Sequence, residues 1–229
     1  MSIQPVNINN TQKNIPAGHD YFWNAKTSKK DKYIISGTTL LGTATACAAL
    51  AKHAGYSLKP SKMFKNIKKS YLAKVEFEME PVIALGAGSC LGGLTGGYLT
   101  TKDKQDRKAI NREAVLQFGN ISIPIVTVGL THKFTQRFGK ITSAFASIGA
   151  VFVGVYLANY LMNKLGNSLF HNKDEARKVK TTDFSAHLDD FVLAATYISK
   201  SDLVHAIGRF VPFALMIPGN EIGNKRANK

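Results

Sequence analysis

Ionisable residues that share a helix face with apolar neighbours gather toward the carboxy-terminal end of this chain. Asp183, His187 and Asp190 are four and three residues apart, and Asp202, His205 and Arg209 are three and four apart. On an α-helix such spacings bring side chains to one face. Two antiparallel helices would set the two groups against each other, with three outcomes: internal ion pairs, a metal or proton site, or two solvated faces. Ionisable groups at depth in a membrane mark ion or proton pathways, so these six residues are the candidate ion or proton site.

The surrounding sequence limits how that site can be built. Phe191 to Ser199 is apolar, Lys200-Ser201-Asp202 interrupts it, and Leu203 to Ile217 is apolar apart from His205 and Arg209. A single crossing would sink Lys200, Asp202 and Arg209 into lipid at about 2.5 to 3.5 kcal/mol each. Residues 183–219 therefore read as an amphipathic or re-entrant helical hairpin, with Ser201 capping its second helix and Pro218-Gly219 ending it. Residues 220–229 read as a loose basic tail.

Other chemistries find little support. The only cysteines, Cys47 and Cys90, lie in apolar windows without a C-x-x-C or Cys/His pairing, which argues against a disulfide framework or a cysteine metal site. There is no H-E-x-x-H and no G-x-S-x-G. The run Gly86-Ala-Gly-Ser-Cys-Leu-Gly-Gly93 lacks the Lys-Ser/Thr and strand context of a phosphate loop. The expectation is a protein that is not an enzyme and carries no cofactor or metal.

The elements that must position the site are four uncharged windows, residues 33–51, 81–101, 114–131 and 141–163. About 20 helical residues span the hydrocarbon core of a bilayer, so each window is a candidate span. The second reads PVIALGAGSCLGGLTGGYLTT. Its Gly88, Gly92 and Gly96 fall four apart, with Gly93 and Gly97 repeating the spacing one position over. In water each glycine costs up to about 1 kcal/mol relative to alanine; in lipid the same stripe lets another helix approach backbone to backbone, as in a glycine zipper. Ala146, Ala150, Gly154 and Ala158 form a similar stripe in the fourth window, and the two stripes are expected to pack together. In the third window Pro124 removes a backbone hydrogen bond and is expected to bend or break the helix near Asn120, and Gln117 adds a further polar group.

The charges lie between the windows, among them in a short charged loop over 102–113. Lys and Arg total 30 against 15 Asp and Glu, a formal charge of +15, which fits binding to anionic headgroups or acidic partners. Residues 1–32 lack any helical period and read as a flexible polar tail, with no early hydrophobic region of the signal-peptide kind. Met63, Phe64, Ile67, Tyr71, Leu72 and Val75 recur at helical steps among Lys62, Lys65, Lys68, Lys69 and Lys74. That pattern predicts a basic helix over about 61–75, either at the interface on anionic lipid or docked on the protein's own loops. With four spans, one side receives 15 Lys and Arg and the other 10, a bias that places both termini in the cytoplasm.

The sequence thus predicts an all-α polytopic membrane helix bundle over residues 33–182, followed by the hairpin. Its expected role is structural or lipid-interacting, with anionic lipids and partner membrane subunits or further copies as partners; the alternative is a small transporter or channel component using the kinked third span and the ionisable hairpin. A soluble nucleic-acid-binding helical protein would need the windows to be core helices, and no nucleic-acid-binding motif is present.

Overall fold

The computed structural model describes residues 27–57, 79–170, 176–188, 191 and 210–227. Every regular element among them is helical: α1 (Lys29–His53), α2 (Met79–Thr100), α3 (Lys104–Thr135) with a single 3-10 turn after it (Gln136–Phe138), α4 (Lys140–Phe170), a longer 3-10 helix (Thr181–His187), the single turn α5 (Val211–Ala214) and α6 (Met216–Asn224); below, the 3-10 helix is the longer one. The first four are long and apolar enough to cross a membrane, consistent with a multi-pass membrane protein.

Local chemistry accounts for the helix ends. The Ser28 hydroxyl accepts the Asp31 amide to cap α1, and Lys52 and His53 occupy its last turn, where positive charge suits the helix dipole. Gly55 then turns the chain at φ 78°, a left-handed conformation that glycine adopts without a Cβ clash. Asp103 caps α3 through the amides of Gln105 and Asp106. The interval 102–113, expected as a loop, is therefore mostly helix. At 1.5 Å per residue, the 32 residues of α3 reach about 48 Å, well beyond a hydrocarbon core.

Helices α1 to α4 run alternately up and down. The start of α1, the end of α2 and the start of α3 meet on one side, where Thr27 donates to the Asn224 carbonyl and Arg226 to the Thr100 hydroxyl. Arg112 reaches Asn167 near the far end of α4 on that same side.

The remaining chain fills the middle. The 3-10 helix lies against α3 and α4, with Phe184 and Phe191 packed on Phe152 at centroid distances of 5.1 and 6.2 Å. Helix α6 lies against α2, α3 and α1, and α5 against α6 and the 3-10 helix; Val211, Leu215 and Ile222 join Val82, Leu85, Ile121 and Ile125 in one core cluster. Residues 220–227, expected as a loose tail, are instead held inside the protein: Asn220, Glu221, Ile222, Gly223 and Arg226 are buried. Pro218, expected to end a helix, sits within the first turn of α6, where a missing amide breaks no intrahelical hydrogen bond.

The small-residue stripes are contacts, but with other partners than expected. Gly92 faces the backbone of Thr38 and Thr39 in α1, and Gly88 and Gly96 face Gly42 and Ile35 there. Gly93 and Gly97 lie against Gly219 and Gly223 of α6. The α4 stripe turns to α3, where Gly154 abuts Pro124, while Ala150 and Ala158 are buried and Ala146 is half-buried. The expected α2–α4 seam is replaced because α6 occupies one glycine edge of α2 and α1 the other.

Candidate functional site

The polar interior is built around Arg177, just before the 3-10 helix. Asn163 of α4 accepts the Arg177 amide and donates to its carbonyl, both at 2.9 Å. This two-point pairing satisfies a segment of irregular backbone that would otherwise be left unpaired. Thus held, the guanidinium points into the space between α3 and α6.

Three buried carboxylates receive it. Nε donates to Glu113 Oε1 at 3.0 Å, Nη1 to Asp183 Oδ2 at 2.8 Å, and Nη2 to Asp183 Oδ1 and, at 3.4 Å, to Glu221 Oε2. The Arg177 side chain is 9% exposed, and those of Glu113, Asp183 and Glu221 are 2%, 0% and 5% exposed. Asp183 also accepts the Lys180 amide at 2.8 Å, which fixes the start of the 3-10 helix. One planar fork thereby ties α3, the 3-10 helix and α6 together.

Neutral side chains complete the cluster. The Gln117 amide donates to Glu113 Oε1 at 3.0 Å and to Glu221 Oε2, while the Thr182 hydroxyl bonds Glu221 Oε1. Lys225 Nζ stands 3.8 Å from Glu113 Oε2 with its side chain 43% exposed. Burial opposes the Arg177 charge, but Glu113 ahead of Asp183 and Glu221 outweighs it and holds the guanidinium firmly protonated. Glu221 responds in the opposite sense: burial, reinforced by Glu113, raises its carboxyl above the usual range despite Lys180, Thr182 and Arg177. Lys180 is lowered, mainly by burial.

One turn along α3, Pro124 has no amide to offer the Asn120 carbonyl. His187 fills that role, with Nε2 2.9 Å from the carbonyl oxygen; because a carbonyl only accepts, Nε2 carries the proton. The Asn120 side chain donates in turn to the Asp183 carbonyl at 3.1 Å. The backbone group freed by the proline is thus satisfied by the carboxy-terminal segment, and α3 stays helical through Pro124.

A second, smaller anchor lies at the same side as the chain's described ends. Arg226 donates to Thr100 at 3.0 Å and to the Gly223 carbonyl at 2.8 Å, and stands 3.8 Å from Asp106. Asp106 also accepts the Ala227 amide at 3.0 Å. Burial lowers the Arg226 pKa against the pull of Asp106 and Asp31.

Of the six residues expected to form an ionisable face, Asp183 and His187 are buried in this interior, yet each bonds a different partner on a 3-10 rather than an α-helix. Asp190, Asp202, His205 and Arg209 lie outside the described residues, as do Lys62, Lys65, Lys68, Lys69 and Lys74. Glu113, Arg177 and Glu221 are not singled out by spacing, because they fall in the charged loop over 102–113, the polar basic stretch before residue 183 and the basic tail. A signal did exist: Glu221 is the only acidic residue after Asp202 and sits directly before an apolar Ile. Among the described residues, no group of three or more His, Cys, Asp and Glu is arranged to hold a metal ion.

Compared with family models, curated proteins and solved structures, the chain matches none.

Proposed function

We propose that this chain is an integral membrane protein with a structural or assembly role, whose apolar outer faces and basic loops engage lipids, anionic ones foremost, and partner membrane subunits or further copies. The observation that carries this reading is the distribution of polarity. Leu91, Leu99, Phe145, Tyr156 and Tyr160 are each more than 60% exposed, while Thr39, Ser89, Glu113, Gln117 and Asn120 are buried. Water would select the reverse arrangement; lipid favours it, because backbone and polar groups must then be satisfied inside. Glycine-zipper contacts on both edges of α2 fit a rigid bundle more readily than a moving one. Both termini are assigned to the cytoplasm by the excess of Lys and Arg on their side.

Alkaline carbonate extraction of membranes from expressing cells tests the reading. The protein is expected in the pellet, and recovery in the supernatant overturns it.

One observation favours the second reading, a small transporter or channel component. Irregular backbone and the buried Asp183 and His187 pack beside the gap that Pro124 leaves in the α3 hydrogen-bond ladder, an arrangement at which transporters bind ions. Proton and cation flux into vesicles containing the purified protein decides it; absence of flux above protein-free vesicles counts against transport.

A further inference from the structure

The Arg177 cluster holds the carboxy-terminal segment inside the bundle, and its charges do not balance in every protonation state. The guanidinium faces Glu113 and Asp183 closely and Glu221 more distantly at 3.4 Å. Lys180 is the other cation acting on Glu221, and Lys225 stands toward Glu113 from a half-exposed position. With Glu221 neutral, Arg177 and Lys180 offset Glu113 and Asp183. With Glu221 ionised, three buried carboxylates face Arg177 and Lys180, and the balance rests on Lys225, 3.8 Å from Glu113 with its side chain 43% exposed, a cation whose charge water screens.

The hydrogen bonds around Glu221 suit both states without rearrangement. Gln117 donates to Oε2, so that oxygen accepts in either state. Thr182 faces Oε1 with a hydroxyl, which can donate to a carboxylate or accept from a carboxylic acid. We propose that Glu221 is a proton-operated latch: protonated, it holds α6 and the 3-10 helix in the bundle; on losing its proton to water, it loosens them.

The groups facing Glu221 among the described residues are Glu113 and Gln117 from α3, Arg177 and Lys180 from the approach to the 3-10 helix, and Thr182 within it. The sign of the effect follows from burial. A carboxyl whose pKa is raised in the folded state stabilises that state at low pH, and the stabilisation fades as pH climbs through the folded value. The latch is therefore tight on the acidic side and slack on the alkaline side. This behaviour is local to one segment and independent of what the bundle assembles with.

Hydrogen–deuterium exchange of the full chain in lipid nanodiscs, corrected for intrinsic rates between pH 5 and 9, tests the proposal. Opening of residues 181–187 and 216–224 is expected to rise with pH, by up to about tenfold per unit as one proton is released, while the middle of α4 stays protected. In Glu221→Gln the amide accepts from Gln117 and donates to Thr182, so the same residues should remain protected and independent of pH. A flat wild-type profile overturns the latch, as does a Glu221→Gln variant that keeps the wild-type slope. Failure of that variant to fold also overturns it, because a neutral group at this position is what the proposal requires.

Discussion

The α1–α2–α6 seam and the α3–α4 seam with its 3-10 helix solve the same packing problem by opposite means. Along α2, side chains are removed: Gly92 meets α1 and Gly93 meets α6 with backbone against backbone. Beside α3, side chains are added, and one guanidinium fills the gap by joining three carboxylates. The first seam depends on shape: its glycine contacts carry no titratable group, although α6 is held a second time by the ionic cluster through Glu221. The second depends on charge and requires every partner to be present. Close approach is gained at the glycine seam by giving up helix propensity; at the ionic seam, desolvation is the cost and directional hydrogen bonds offset it.

The contrast predicts a ranking of lesions. Arg177→Ala leaves Glu113 and Asp183 buried without their guanidinium and should destabilise the fold by about 3 to 5 kcal/mol, read as a lowered thermal midpoint in detergent. A neutral outcome would mean that water reaches the cluster. Gly92→Leu comes next, because even a Cβ there overlaps the Thr38 carbonyl; overpacking of this kind costs about 1 to 3 kcal/mol or more. The same change at Gly149, where a Cβ meets nothing within 4 Å, should stay within about 0.5 kcal/mol. Equal midpoints for the two variants would sink the claim that the α2 stripe is a contact.

A further pair of variants tests the join between the seams. His187→Ala strands the Asn120 carbonyl, at a cost of about 1 to 3 kcal/mol for an unsatisfied buried group. Adding Pro124→Ala returns an amide to that carbonyl and should recover part of the loss. A double variant no more stable than His187→Ala would show that the histidine acts through packing alone.

The sequence made the four long helices legible, because an uncharged run of about 20 residues has few other uses. Their pairing was not legible. A stripe such as Gly88, Gly92 and Gly96 states that something approaches closely, and says nothing about which helix does so. The interior charges were hidden for a related reason: Glu113 lies next to Arg112, and Glu221 precedes Lys225 and Arg226. Local charge density suggests solvent, whereas the guanidinium that both Glu113 and Glu221 face, Arg177, is 64 and 44 residues distant. Asp103 and Asp106 carried a readable cap for α3, obscured by the same charges.

The position of α6 also constrains biogenesis. Residues 216–224 leave the ribosome after all four long helices, yet they lie against α1, α2 and α3. The earlier hairpins must therefore assemble as an unfinished enclosure and keep a slot between them until this late-made wedge arrives.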